Sequence, residues 1–142
     1  AALCKIKLKK QKTLFLGNLY AKRDWGHAKD YCEAMWKILQ QKKPDDYVIS
    51  TDRQVSVKEF INLTAKKLKM RIKWVGRGIN EKCYWKNREI ISIDKRYFRP
   101  SEINSLKGDY SKAKKILNWS PNIKLVKLVE EMIDYEIHDL NG

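Results

Sequence analysis

The chain has 142 residues, 43% of them hydrophobic and 34% charged, and its 31 Lys and Arg against 17 Asp and Glu give a formal charge of +14. That length suits a single domain, residues 1–142, able to bury about two thirds of the surface its unfolded chain exposes, and five Trp with seven Tyr exclude a polypeptide without a core. No run of roughly eighteen apolar residues occurs, which excludes a membrane-spanning helix and leads to the expectation of a soluble, cytoplasmic protein.

In chain order, "AALCKIKLKK" sets Leu3, Ile6 and Leu8 on one side of a short helix that starts without a cap, as in a piece of something longer. Thr13–Leu16 reads as a strand ended by the turn pair Gly17-Asn18. After the polar stretch "AKRDWG", the spacing of Ala28, Tyr31, Cys32, Met35, Trp36 and Leu39 predicts an amphipathic helix from His27 to Gln41. Tyr47–Ser50 is a second strand candidate. Ser56, with Glu59 three residues on, forms a capping-box pattern ahead of a helix from Val57 to Lys69. "RIKWVG" and "EIISID" read as strands, with an irregular excursion, "RGINEKCYWKNR", between them. Asp109 can cap a helix over "YSKAKKILNW", Ser120-Pro121 breaks it, and Leu125, Leu128, Val129, Met132 and Ile133 mark a last amphipathic helix. Helices mixed with short strands make the fold class α+β, alone or as part of a larger α/β protein.

Several groupings carry possible chemistry. Arg23, just ahead of a helix, offers a planar fork of donors that matches a phosphate, and the first N–H groups of that helix point the same way; it could equally pair with Asp24 or Asp30 to fasten the turn. In "RYFRPSE", Arg99 could supply the other half of a pyrophosphate clamp while Glu102 accepts from a ribose hydroxyl, or the two could pair with each other. Tyr110 and Lys114 match the Y-x-x-x-K spacing of short-chain dehydrogenases, but two fixed positions in a lysine-rich chain arise by chance. Gly76 and Gly78 lack the third glycine of a dinucleotide fingerprint. Trp74, Tyr84 and Trp85 interleave with Lys73, Arg77, Lys82, Lys86 and Arg88, which could clamp single-stranded nucleic acid or simply pack and face water. Cys4, Cys32 and Cys83 are odd in number and widely spaced; with only two His they suggest neither a disulfide framework nor a metal site. No Ser/His/Asp set or phosphate-binding glycine loop is present.

Taken together, "LGNLYAKRDWGHAKDYCEAMW", "PDDYVIST", "SVKEF", "DKRYFRPSEI", "GDYSKAKKILNW" and "LVKLVEEMI" resemble, in order and spacing, the C-terminal part of the GDP-mannose 4,6-dehydratase family of extended short-chain dehydrogenase/reductases. The resemblance covers essentially the whole chain. It implies a substrate-binding part whose complete enzyme adds a Rossmann domain with NADP, assembles as a dimer or tetramer, and converts GDP-mannose to GDP-4-keto-6-deoxymannose at the start of GDP-fucose synthesis. By this resemblance Arg23 and Arg99 face the pyrophosphate and Glu102 contacts the ribose. Asp24, Trp25 and His27 shape the turn. The family's NADP loop and catalytic Tyr-x-x-x-Lys have no counterpart here, so no catalytic residue is assigned and the chain alone is expected to be inactive. Two stretches depart from the family, Ser50–Gln54 and the aromatic, basic Glu81–Arg88. A non-catalytic descendant kept for assembly is the alternative, and a nucleic-acid-binding module is a more remote one.

Overall fold

Side-chain periodicity and turn chemistry divide this polypeptide into short elements that gather in two groups. The computed structural model of the chain describes residues 1–98, 103 and 105–141. One compact unit comprises Ala1–Ala21, Ser56–Asn104 and Val129–Gly142, and the other Lys22–Val55 and Ser105–Leu128.

The first unit holds helix α1 (Ala2–Lys7), strand β1 (Leu14–Leu16), helix α3 (Val57–Lys67) and strands β4 (Ile72–Val75), β5 (Lys82–Trp85) and β6 (Arg88–Ile93). The sheet runs β1-β6-β5-β4, with β1 parallel to β6 and the other neighbours antiparallel. Ile90 and Ile91 point to opposite faces of β6 and both are fully buried, so the sheet is covered on both sides at its middle. Each such side chain contributes roughly 1.5–3 kcal/mol by leaving water. Helix α3 starts at the expected box: the Ser56 hydroxyl accepts the Glu59 N–H at 3.1 Å, and the Glu59 carboxylate accepts the Ser56 N–H at 2.8 Å.

The stretch expected to be an irregular excursion, Arg77–Arg88, is ordered differently. A 3-10 turn (Gly78–Asn80) is followed by β5, and Lys86 and Asn87 both take positive φ, 50° and 60°, closing a two-residue hairpin into β6. Charged residues at both ends of "KCYW" hid this strand. Its Cys83 is fully buried opposite Ile91, which makes β5 an interior strand of the sheet.

The second unit contains β2 (Lys22–Asp24), helix α2 (Ala28–Leu39) and α4 (Ser111–Leu117). Strand β2 pairs with β3 (Gln54–Ser56), whose last residue opens α3 in the first unit. Neither β2 nor β3 stood out in the sequence, because three-residue strands are too short to show alternation. Conversely, Tyr47–Ser50, expected to be a strand, joins no ladder among the described residues. Its alternation serves packing instead: Tyr47 and Ile49 lean on a core of Ala34, Ala113, Leu117 and Trp119. The Asp109 carboxylate accepts the Ser111 N–H at 2.8 Å as α4 begins, and α4 ends at Asn118 in the left-handed region. Helix α5 (Leu125–Asn141) starts in this unit and continues into the first. No helix among the described residues is long and apolar enough to cross a membrane.

Candidate functional site

The turn from β2 into α2 is held by a different partner at almost every residue. Asp24 accepts the Thr51 N–H at 2.8 Å and faces the Tyr31 hydroxyl at 3.5 Å. The Trp25 indole donates to the Val55 carbonyl at 2.9 Å. His27 takes an extended conformation as the helix cap, and its Nδ1 accepts the Lys29 N–H at 3.1 Å. Between them, Gly26 is required by contact: a Cβ there would stand 1.9 Å from the Tyr31 hydroxyl oxygen. Burial, then the Asp24 charge and hydrogen bond, raise the Tyr31 pKa above its ordinary value.

Asp30 anchors the helix start more deeply. The residue is 4% exposed, its carboxylate accepts the Asn122 and Ile123 N–H groups at 3.2 and 2.9 Å, and its carbonyl accepts the Trp119 indole at 2.9 Å. A carboxylate in the first turn also suits the positive end of the helix dipole. An Asp three residues after the cap was a visible signal for this role.

Arg23 stands at the centre of β2, half-buried, with its Nη1 donating to the Lys22 carbonyl at 2.9 Å. Lys22 also bridges in parallel to Ser105. The guanidinium is thus carried by a short strand with neighbours on both sides. Asp24 and Asp30 each accept backbone N–H groups, the first from Thr51 and the second from Asn122 and Ile123. Arg99 and Glu102 lie outside the described residues. Beside Trp25 lies a hollow of about 190 Å³ that Thr51, Arg53, Asn122 and Lys124 help to line, and no local motif marks it.

Among the described residues the glycine pair Gly76 and Gly78 does not form a dinucleotide cradle. Gly76, with φ +86° and the Asn80 carbonyl 2.4 Å from where a Cβ would be, leads into the 3-10 turn and then a strand, whereas such a cofactor requires a helix N-terminus after the glycines. Among the described residues no three His, Cys, Asp or Glu gather as metal ligands.

The family model described as GDP-mannose 4,6 dehydratase matches residues 1–132. GDP-mannose 4,6 dehydratase 1 of Arabidopsis thaliana is 48% identical over 136 residues, which are 96% of this chain and 34% of that protein. GDP-mannose 4,6 dehydratase 2 of Caenorhabditis elegans is 45% identical over 139 residues, covering 96% and 36%, and the human GDP-mannose 4,6 dehydratase is 42% identical over 138, covering 96% and 37%. The chain therefore spans about a third of the length of these relatives. Among solved structures, RMD from Pseudomonas aeruginosa complexed with NADPH superposes with a TM-score of 0.74 at 16% identity, over 96% of this chain and 40% of that one. UDP-glucose 4-epimerase from Bifidobacterium longum, in complex with NAD+ and UDP, gives 0.72 at 17%, over 99% and 39%. Those two likenesses concern the fold, and they agree with an α+β portion of an extended short-chain dehydrogenase/reductase. With the family model running through the Arg23 turn, the capped helix α3 and the start of α5, the chain belongs to the GDP-mannose 4,6-dehydratase family.

Proposed function

We propose that this chain is the C-terminal, GDP-sugar-binding portion of a GDP-mannose 4,6-dehydratase, a lyase that converts GDP-mannose to GDP-4-keto-6-deoxymannose. Arg23 holds the pyrophosphate from β2, Arg99 supplies the opposing guanidinium, and Glu102 accepts from the ribose hydroxyls. The observation that carries the reading is the setting of Arg23. Its strand and the turn after it are fixed by Asp24 to Thr51 and Trp25 to Val55, so a guanidinium there meets a substrate already oriented. Asp24, Trp25 and His27 shape this turn.

NADP belongs to the part of the family's length that this chain does not span, and it would supply hydride chemistry there. This chain then has no catalytic residue of its own and is inactive alone. The exposed stripe on α2 fits that division. Met35, Trp36 and Leu39 are 62%, 62% and 80% exposed although their spacing is that of a buried face, and we assign them to contact with the cofactor-binding part. The complete enzyme is a homo-oligomer in this reading, and its site is cytoplasmic.

A thermal-shift series tests the assignment. GDP-mannose and GDP are expected to raise the melting temperature of the chain while mannose does not. No shift with either nucleotide would remove substrate binding from this portion and favour a descendant kept for assembly.

A further inference from the structure

The first unit gathers positive charge around one tryptophan. A hollow of about 180 Å³ is lined by Lys7, Lys9, Trp85, Lys86 and Arg88. No carboxylate is among them. The hairpin's own acid, Glu89, is engaged by Lys82 at 2.7 Å, and among the described residues none of the four cations stands in an ion pair.

The backbone presents these groups in a fixed way. Trp85 and Arg88 are direct cross-strand partners at the end of the β5–β6 hairpin, so they share a face. Lys86, in the two-residue turn between them, holds its ammonium 5.0 Å from the centre of the Trp85 ring. On the other side, α1 ends at Lys7, and the chain reverses through Lys9 at φ 61°, tied by the Lys9 N–H to the Ile6 carbonyl and the Lys10 N–H to the Lys5 carbonyl. Four like charges collected without a counter-charge repel one another, and a ligand bearing several close negative charges relieves that repulsion.

We propose that this hollow binds linked phosphates, carried either by a nucleoside triphosphate or by a free oligophosphate. Linked phosphates offer four cations more negative charge and more acceptor oxygens than a single phosphate does. A chain of phosphates can meet all four. The site is independent of the GDP-sugar reading and shares no residue with it.

The test is calorimetric titration of the 142-residue chain with inorganic tripolyphosphate, guanosine triphosphate, guanosine and orthophosphate. Tripolyphosphate is expected to bind and orthophosphate to bind at least about tenfold more weakly. Lys86→Glu and Arg88→Glu, both at exposed positions, are each expected to weaken tripolyphosphate about tenfold or more while GDP-mannose binding stays unchanged. Arg23→Ala is expected to leave tripolyphosphate binding intact. Equal affinity for tripolyphosphate and guanosine triphosphate identifies the phosphate chain as the whole ligand, and tighter binding of the nucleotide identifies a base contact as well. Absence of tripolyphosphate binding, or binding that survives both charge reversals, would overturn the proposal, as would binding lost only with Arg23.

Discussion

Asp24 and Thr51 lie 27 residues apart, and the Asp24 carboxylate accepts the Thr51 N–H at 2.8 Å, joining the turn after Arg23 to the segment that leads into β3. A charged acceptor on a backbone donor is among the stronger hydrogen bonds a protein makes. Asp24→Ala should therefore cost about 1–3 kcal/mol of stability. Denaturant titration measures this, and GDP-mannose affinity should fall alongside, although Asp24 itself need not touch the ligand.

The same carboxylate acts on Tyr31. Burial is the largest cause of the raised Tyr31 pKa, followed by the Asp24 charge and hydrogen bond. In Asp24→Asn, the Tyr31 phenol should titrate at lower pH than in the native chain yet stay above an ordinary tyrosine, because burial persists. Tyrosine-labelled NMR resolves it from the other six. Gly26→Ala perturbs the phenol by a different route, since its new methyl occupies the position of the hydroxyl. We expect a loss of about 1–3 kcal/mol, as for other overpacked sites.

Glu81 supplies an acid-sensitive element in the first unit. It is 2% exposed and accepts the Tyr20 hydroxyl at 2.7 Å and the Lys58 ammonium, which also lies 5.0 Å from the Trp74 ring centre. Burial pushes the Glu81 carboxyl up, but the hydrogen bonds from Lys58 and Tyr20 with the Lys58 charge outweigh it, so it titrates below the ordinary range; Lys58 is raised, chiefly by its bond to Glu81. A depressed carboxyl contributes stability above its unfolded value of about 4.3 and loses it as the pH falls through the folded one. Raised Lys58 keeps its share through neutral pH and loses it only above roughly 10.4. Unfolding at a series of pH values should show an acid limb below about pH 4 that is shallower in Glu81→Gln.

The cysteines differ in reach. Cys32 is exposed, while Cys4 and Cys83 are buried, and burial pushes the Cys83 thiol up to about 12. A thiol reagent at neutral pH should modify one cysteine, Cys32, in the native chain and all three after unfolding. Rapid modification of Cys83 in the native chain would contradict the interior placement of β5.

How much of this was legible in the sequence depended on whether a residue's role is local. The capping box of Ser56 and Glu59 acts within one helical turn, and it stands where the pattern placed it. The Asp24 to Thr51 bond joins distant segments and leaves no local mark. Strand β5 was hidden because its apolar character sits in Cys83, Tyr84 and Trp85 between lysines, and its turn uses Lys-Asn with positive φ where Asn-Gly is the usual signal. In α2 the periodicity was right about the helix and silent about what its face meets. Ala34 is buried inside the unit, whereas Met35, Trp36 and Leu39 form an outward stripe with the same spacing as a core. For the site, the sequence singled out Arg23, Arg99 and Glu102, and Arg23 is the one that falls within the described residues.

That outward stripe has its own consequence. The isolated chain should self-associate through α2, and Trp36→Glu or Leu39→Lys should restore a monomer in sedimentation experiments with stability changed by no more than about 0.5 kcal/mol, as for other exposed positions.

The assignment of Arg23 and Arg99 to a GDP-sugar is tested most directly by calorimetric titration of the chain with GDP-mannose at two salt concentrations, with Arg23→Ala and Arg99→Ala beside it. Saturable binding to the native chain that is lost in both variants, each still folded by circular dichroism, is the expected result. Binding that survives both substitutions, or a folded native chain that takes up no GDP-mannose, would contradict it.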